Sequence, residues 1–366
     1  MTQPHARPVI PSDVVSLADY ERHARTRFTD ADWAYVAGAS ADGLTRRWNR
    51  EAFDRIRLGG RVLADMQGAT TASTLFGREL SFPVILAPVA YQKLAHRDGE
   101  IATALGASAA SAWMTISALA STTIEEIAQA AQTDLWFQLY MMYGREAALA
   151  LVRRAETLGC TAIVLTVDAP VNGVRNEEQR AGFRLPAGIS AVNLDPAPTV
   201  LAEVRPGQSP VFAGLLASQP TWTDLEWLRG QTKLPLILKG VLHPDDATRA
   251  IALGIDGIVV SNHGGRTLDT APSGVEALSR IMPVVGTRVP VLVDGSIRRG
   301  TDVLKCLALG ARAVLIGQPI MHALAVGGAS GIAHMLTILR AELEVAMALT
   351  GCRSLADIDS SVLWPD

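Results

Sequence analysis

Eight short apolar runs recur along the chain, and a stretch with helical periodicity follows each of them. The runs are four to six residues long, which is typical of strands that are buried on both faces. In the stretches between them, apolar residues repeat about one helical turn apart. The predicted strands cover residues 83–87, 114–117, 135–140, 162–167, 234–238, 257–260, 289–293 and 313–316.

Strands that alternate with helices form right-handed βαβ units and therefore a parallel sheet. Eight such units predict an α/β fold of the closed (β/α)8, or TIM-barrel, type, whose catalytic groups stand at the C-terminal ends of the strands. A doubly wound sheet would need a G-x-G-x-x-G turn after an early strand, and the sequence has none there. The barrel is therefore the better prediction.

Two segments lie outside this alternation. Residues 1–60 start with a polar stretch, expected to be disordered over 1–11, and continue with helical patterns, which predicts a small N-terminal helical cap. Residues 170–221, after the fourth strand, are rich in Gly, Pro, Asn and Ser, and a long insertion of this kind predicts a lid loop over the barrel mouth. We expect one barrel domain over 1–366. The cap helices are predicted from residue 16, at 30–36 and at 44–55.

Composition excludes several classes of partner. Of 366 residues, 49% are hydrophobic and 19% are charged, and the net charge of −3 offers no footprint for nucleic acid or an anionic membrane. No apolar run approaches the ~20 residues that span a bilayer, and no signal peptide is recognisable, which predicts a soluble cytoplasmic protein. The widely spaced Cys160, Cys306 and Cys352 predict reduced thiols and no metal site.

Candidate chemistry is densest where the sixth strand runs into Ser261-Asn262-His263-Gly264-Gly265-Arg266. His263 can exchange protons near neutral pH, and the guanidinium of Arg266 can hold a carboxylate with two N–H groups. A base beside an anion-binding group indicates proton abstraction from a small acid. This stretch alone would more simply be a capped strand end, so the hypothesis depends on the other strand ends.

Residues with polar, chemically reactive side chains lie at the ends of seven successive predicted strands. If each served only as a structural cap, such a series would not be explained. The loops after the seventh and eighth strands also have the form of a phosphate site, because each opens a helix. Arg298 and Arg299 at the first of these helices oppose the helix dipole unless an anion binds there. The series consists of Ser117, Gln138, Tyr140, Thr166, Asp168, Lys239, His263, Arg266, Asp294, Arg298, Arg299 and Gly317.

The segments SNHGGRTLD, LPLILKGV, WFQLY, LTVDAP and VDGSIRRGTDVLKCLALGARAVLIG resemble those of the FMN-dependent 2-hydroxy-acid oxidases and dehydrogenases. That family includes glycolate oxidase, lactate oxidase, mandelate dehydrogenase and hydroxymandelate oxidase. The resemblance covers the chain from Tyr20 to about Leu355, and APVAY, LAHRDGE and ALAVGGASG are most similar to the mandelate and hydroxymandelate enzymes. It implies FMN as cofactor and oxidation of an (S)-2-hydroxy acid by oxygen to a 2-oxo acid and hydrogen peroxide. It further implies a homo-oligomer, namely a tetramer.

The resemblance also implies roles for individual residues. His263 would be the base, Asp168 would stabilise its protonated form, and Lys239 would lie at the N1/O2 edge of the flavin and favour its reduction. The substrate would be bound by Tyr20, Tyr140, Arg175, Arg266 and Leu119, with Tyr20 and the two arginines on its carboxylate. The flavin would be bound by Val89, Ala90, Ser117, Gln138, Thr166, Ser261, Asp294, Ser296, Arg298, Gly317 and Gln318, the last of these at the phosphate.

Two positions depart from the family pattern. Gln318 stands where an arginine is frequent, so one charged contact with the phosphate is missing. Leu119 stands where glycolate oxidase has a tryptophan, so a bulkier substrate side chain would fit. The alternatives are a dehydrogenase that reduces a quinone or carrier protein, an enzyme like lactate monooxygenase, and a flavin-binding barrel without turnover.

Overall fold

The computed structural model describes residues 10–141, 144–194, 204–216 and 219–365. Its first elements are the cap helices and a short antiparallel hairpin. The helices agree with the predicted cap to within about one residue, and the hairpin was not predicted. Residues 1–9 of the predicted disordered start lie outside the described ranges. These elements are α1 (Leu17–Arg25), α2 (Asp30–Ala37), α3 (Leu44–Arg55), β1 (Ser73–Leu75) and β2 (Arg78–Leu80).

Within the described ranges, eight parallel strands close into the predicted barrel, in sequence order, with the last strand paired to the first. Each strand forms where the sequence has a mainly apolar run, and nearly all of their residues are buried. The (β/α)8 prediction is therefore confirmed. The barrel strands are β3 (Val84–Leu86), β4 (Trp113–Ser117), β5 (Leu135–Leu139), β6 (Ala162–Thr166), β7 (Leu236–Val241), β8 (Gly257–Val260), β9 (Val291–Val293) and β10 (Ala313–Ile316).

The helices between and after the strands cover the outside of the barrel. Several begin with reciprocal capping contacts; in α10, for example, Ser273 and Glu276 form a capping box. The three cysteines are buried and free. The helices are α4 (Gly99–Ala109), α5 (Ile124–Ala130), α6 (Gly144–Thr157), α7 (Asn176–Arg180), α8 (Trp222–Arg229), α9 (Pro244–Ala252), α10 (Gly274–Val285), α11 (Gly300–Ala308) and α12 (Gln318–Thr350).

Helix α12 corrects one expectation from the sequence. It is long and apolar enough to cross a membrane by length and composition, whereas no such run was expected. However, 61% of its most apolar window is buried inside the protein, and the helix is kinked at Gly328. Because it packs against α4 and α1, its apolar composition is that of a core helix.

The cap and the predicted lid both meet the C-terminal end of the barrel. Asn49 of α3 exchanges two buried hydrogen bonds with Asn262 after β8, with N–O distances of 3.0 and 2.8 Å. In the lid, the side-chain amide of Asn193 donates to the carbonyl of Thr122 (3.0 Å), and its oxygen accepts from the backbone N–H of Ile124 (2.9 Å). The predicted lid also includes 195–203 and 217–218, which lie outside the described residues.

The opposite end of the barrel is closed by the hairpin. Phe76, at the β1–β2 turn, lies edge-on to Trp136 with ring centroids 5.9 Å apart, and Trp136 meets Trp113 in the same way at 5.7 Å. Gly257 at the start of β8 has no room for a side chain, because a Cβ atom there would lie 2.8 Å from the Phe76 ring. The N-terminal end of the barrel is therefore a packed apolar plug.

Candidate active site

A cavity of about 370 Å³ opens at the C-terminal end of the barrel, within the usual size range of ligand sites. The strand ends and the loops that follow them bring most of the predicted site residues to it. The predicted residues that line it are Val89, Ala90, Ser117, Leu119, Gln138, Tyr140, Thr166, Arg175, Lys239, His263, Arg266, Asp294, Ser296, Arg298, Gly317 and Gln318.

His263 and Asp168 form a hydrogen-bonded pair at the cavity, with Nδ1 of His263 2.9 Å from Oδ1 of Asp168. A carboxylate can only accept, so Nδ1 carries a proton, and in the neutral form of His263 the lone pair is therefore on Nε2. Burial opposes ionisation of Asp168, but the charge and hydrogen bond of His263, together with Lys239, outweigh it and hold the pKa of Asp168 below its usual value. This arrangement is suited to a base whose protonated form is stabilised.

The backbone around His263 is held in an uncommon conformation. His263, Gly264 and Gly265 all have positive φ values, 58°, 66° and 77°. For a residue with a side chain this conformation is costly, and it persists where surrounding contacts impose it, often at active sites. Here the backbone N–H of His263 donates to the hydroxyl of Ser261 at 3.0 Å.

Lys239 is buried in the floor of the cavity. Its Nζ lies 3.0 Å from Oδ2 of Asp294 and donates to the hydroxyl of Ser261 at 2.9 Å. Burial disfavours its charge, but Asp294 and Asp168 outweigh that effect and raise the pKa of Lys239. The site therefore holds a permanent cation. The next residue, Gly240, has a φ of 110° and lies so close to Asp168 that a Cβ atom would come within 2.5 Å of it.

Ser261 lies next to the cavity. The residue is fully buried and is not part of the cavity lining among the described residues. Its hydroxyl accepts hydrogen bonds from Nζ of Lys239 and from the backbone N–H of His263, both of which line the cavity. Ser261 therefore supports two lining residues, and its own contact with the flavin stays a prediction.

Arg175 and Arg266 meet on the lid side of the cavity. Arg266 donates from Nη1 to the carbonyls of Tyr35 (2.8 Å) and Gly38 (2.9 Å), and its guanidinium lies over the Tyr35 ring. Burial, with Arg266 next in importance, lowers the pKa of Arg175 to about 10. Its Nη1 is buried and has no hydrogen-bond partner among the residues that the structure describes. This donor is available to an anion in the cavity.

Tyr20 was expected to bind the substrate carboxylate, and that prediction is wrong. The side chain is fully buried in α1, and its hydroxyl lies 2.9 Å from Nδ1 of His334 on α12. Tyr35, on α2, lines the cavity instead, stacked on Phe183 of the lid with centroids 4.5 Å apart. Burial raises the pKa of Tyr35 to about 12, so its hydroxyl is neutral.

The far end of the cavity has the features expected for a phosphate. Ser296 and Gly295 turn the chain with φ values of 57° and 104°, and α12 begins at Gln318. Nη2 of Arg298 donates to Oε1 of Gln318 at 2.6 Å. Burial lowers the pKa of Arg298 to about 10. A buried guanidinium beside a helix N-terminus favours a bound anion.

The residues present fit a flavin ring as well as its phosphate. Within the described part of the chain, Nε2 of Gln138 and Oγ1 of Thr166 are buried without a hydrogen-bond partner, and both residues line the cavity. Buried polar groups are otherwise almost always paired, so these two indicate a polar ligand. A heterocycle with donors and acceptors at its edge, standing near the Lys239 cation, matches this set.

Sequence reasoning gave no role to Tyr35 and Glu178, both of which line the cavity. Tyr35 lies near the end of a predicted cap helix, just before Gly38. That helix end was the only feature of the sequence that could have indicated a position close to the barrel mouth. Glu178 lies inside the predicted lid, and no periodic pattern marks its position.

Comparison with known proteins gives matches over nearly the whole chain. The family model described as FMN-dependent dehydrogenase matches residues 24–365. An L-lactate oxidase from Nostoc sp. is 44% identical over 96% of this chain and 98% of its own length, and a 4-hydroxymandelate oxidase from Amycolatopsis orientalis is 45% identical over 93% and 95%. A solved structure of mandelate oxidase with benzoyl-formic acid has a TM-score of 0.86 at 42% identity, covering 96% of this chain and 98% of that one.

Proposed function

Since this chain belongs to the FMN-dependent dehydrogenase family, we propose that it oxidises an (S)-2-hydroxy acid to the 2-oxo acid and passes the electrons to oxygen, giving hydrogen peroxide. When bound, FMN accepts the two electrons that leave the substrate carbon. Arg298 and the start of α12 hold the phosphate, while Gln138, Thr166 and Lys239 contact the ring. The observation that carries the proposal is that His263, hydrogen-bonded to Asp168, lines one cavity with Lys239 and with the unpaired Nη1 donor of Arg175.

The substrate carboxylate binds on the lid side of the cavity. Arg175 supplies the buried Nη1 donor, and Arg266 adds a second positive charge held in place by two carbonyls. Tyr140 lines the same cavity, and burial raises the pKa of Tyr140, so its hydroxyl stays protonated and donates to a substrate oxygen. These contacts fix the hydroxy acid with its reacting carbon toward His263.

His263 then takes a proton from the substrate. Nε2 acts as the general base, because Nδ1 is hydrogen-bonded to Asp168. The ionised Asp168 stabilises the imidazolium that results. In a carbanion mechanism the base removes the proton from the substrate carbon, and in a hydride mechanism it removes the proton from the hydroxyl. His263 is therefore the base in both.

The substrate side chain is aromatic or long and aliphatic. Leu119 lines the cavity and leaves more space than a tryptophan would. A mandelate oxidase and a 4-hydroxymandelate oxidase are among the similar proteins, which favours the same class here, although an L-lactate oxidase is equally similar in sequence. Oxygen as the acceptor is favoured by the same oxidase relatives.

The acceptor is tested by reducing the holoenzyme with substrate under nitrogen and then adding either air or a soluble quinone. The proposal predicts rapid reoxidation by air, with one hydrogen peroxide formed per 2-oxo acid. Slow reoxidation by air and rapid reoxidation by the quinone would identify a dehydrogenase. A decarboxylated acid formed in place of peroxide would identify a monooxygenase.

A further inference from the structure

A carboxylate lies between the two arginines of the anion site. Oε1 of Glu178 is 3.4 Å from Nη2 of Arg266 and 3.8 Å from Nε of Arg175. Glu178 lines the same cavity, and its side chain is only 17% exposed, against 23% and 14% for the two arginines. The proposed anion site thus contains the carboxylate of Glu178 close to its two guanidinium groups.

Glu178 is not needed to hold either arginine in place. Nη2 of Arg266 donates a long hydrogen bond of 3.4 Å to Oε1 of Glu178. Arg266 is also fixed by shorter hydrogen bonds to the carbonyls of Tyr35 and Gly38 and by the Tyr35 ring. Arg175 is separated from Glu178 by 3.8 Å, which is too long for a hydrogen bond. The main effect of Glu178 on the site is therefore its charge.

The charges of Arg175, Arg266 and Glu178 sum to a single positive unit. Arg175 and Arg266 contribute +2 and Glu178 contributes −1, while Tyr35 and Tyr140 are neutral phenols. Burial raises the pKa of Glu178, and the two guanidiniums oppose that rise. The test below is therefore made at slightly alkaline pH, which favours the ionised carboxylate. One unit of positive charge matches one carboxylate of a ligand.

We propose that Glu178 is a specificity-determining residue that limits this site to monoanionic 2-hydroxy acids and rejects dianionic ones. The inference rests on the proposed function, since it assumes that Arg175 and Arg266 bind the substrate carboxylate. Charges a few ångströms apart at a partly buried site interact strongly enough to change a binding constant tenfold or more. A second carboxylate on the ligand would meet the negative charge of Glu178 after the first has neutralised the net positive charge of this group.

The test compares two ligands of similar size that carry one or two carboxylates and are not oxidised. Propionate and malonate are titrated into FMN-loaded holoenzyme at slightly alkaline pH, and binding is read from the change in flavin absorbance. Glu178→Gln removes the charge and keeps the shape of the side chain. Glu177→Gln is the matched control, because it removes the same net charge from the exposed neighbouring position. Glu178→Asp keeps the charge.

In wild-type protein we expect propionate to bind more tightly than malonate. Glu178→Gln should raise the malonate-to-propionate affinity ratio about tenfold or more, whereas Glu177→Gln and Glu178→Asp should keep the wild-type ratio within about twofold. An unchanged ratio in Glu178→Gln, an equal rise in Glu177→Gln, or weaker binding of both ligands in Glu178→Gln would overturn the inference.

The same preparations separate this inference from the proposed function. If (S)-lactate or (S)-mandelate bleaches the flavin of the wild-type holoenzyme but the affinity ratio does not respond to Glu178→Gln, only the role of Glu178 is wrong. If no 2-hydroxy acid bleaches the flavin, the proposed function itself fails.

Discussion

The two ends of the barrel are built from inward-facing residues of the same strands, and these residues are only two positions apart along each strand. Trp136, Val164 and Ile237 face inward in the middle of their strands and join the apolar cluster that the hairpin closes. Two residues further along the same strands stand Gln138, Thr166 and Lys239, all of which line the cavity. On each of these strands, a distance of about 7 Å therefore separates a residue of the apolar core from a residue that lines the cavity.

The two ends also differ in how well their groups are satisfied. At the plug, aromatic rings meet edge to face, and the described side chains there form a buried apolar cluster. At the cavity, the described residues include buried polar atoms without partners, a buried cation and a histidine with positive φ. Such features lower the stability of the protein alone and are retained where a ligand uses them. Changes at the cavity should therefore affect turnover, and changes at the plug should affect unfolding.

The largest effect is expected from His263→Ala. Removal of a general base typically lowers the rate by about 10²–10⁴-fold, and by more when no other group replaces it. FMN should stay bound, because Lys239 and Arg298 are unchanged. Steady-state kinetics and the flavin-to-protein ratio measure the two properties separately. Activity within a few-fold of wild type would remove His263 from the mechanism.

The matching change at the plug is Trp113→Ala. Trp113 is 3% exposed and packs against Trp136, so truncation should lower the free energy of unfolding by about 3–5 kcal/mol. Trp113 lies four residues before Ser117 on β4, and of these two residues only Ser117 lines the cavity. Denaturant unfolding should show the loss, and kcat per flavin should stay near wild type. A large fall in kcat with unchanged stability would contradict the division between the two ends.

A smaller effect is expected from Gln318→Arg at the phosphate end. An added charge-assisted hydrogen bond to phosphate should tighten FMN binding by about 1.5–3 kcal/mol. The change also removes the acceptor of Arg298 and places a second cation beside it, so the apoprotein should lose thermal stability. Titration of apoprotein with FMN and melting curves with and without FMN measure both effects. Unchanged or weaker FMN affinity would show that Gln318 does not face the phosphate.

The smallest of these effects concerns substrate size. Each buried CH₂ group contributes roughly 0.8 kcal/mol, so kcat/KM for (S)-mandelate or a long-chain 2-hydroxy acid should exceed that for glycolate by at least about tenfold. Leu119→Trp should narrow or reverse this preference by filling the space. Kinetics on glycolate, lactate and mandelate provide the measurement, and a wild-type preference for glycolate would refute the prediction.

The strands and the cap helices could be predicted because each has a local signal. Short apolar runs mark the strands, and the turn at Gly38 marks the end of α2. The family predicted from the motifs is confirmed, since its model matches residues 24–365. The hairpin was missed because β1 and β2 are mainly polar and have one buried residue each, so they form no apolar run.

The error at Tyr20 has a different origin. Tyr20 and Tyr35 are both tyrosines on cap helices, and only the packing of α1 against α12 and of α2 beside the lid decides which one reaches the cavity. Ser261 follows β8 directly, and its hydroxyl supports Lys239 and His263. Such distinctions depend on how elements pack, which strand and helix periodicity does not specify.

The central claim is that the polar end of the barrel oxidises a 2-hydroxy acid with FMN bound, and anaerobic mixing tests it most directly. Holoenzyme is combined with (S)-lactate or (S)-mandelate, with the (R) enantiomers as controls, and the visible absorbance of the flavin is followed. We expect rapid bleaching by an (S) enantiomer and little by its (R) counterpart. Protein with a full complement of FMN that no 2-hydroxy acid bleaches would contradict the account.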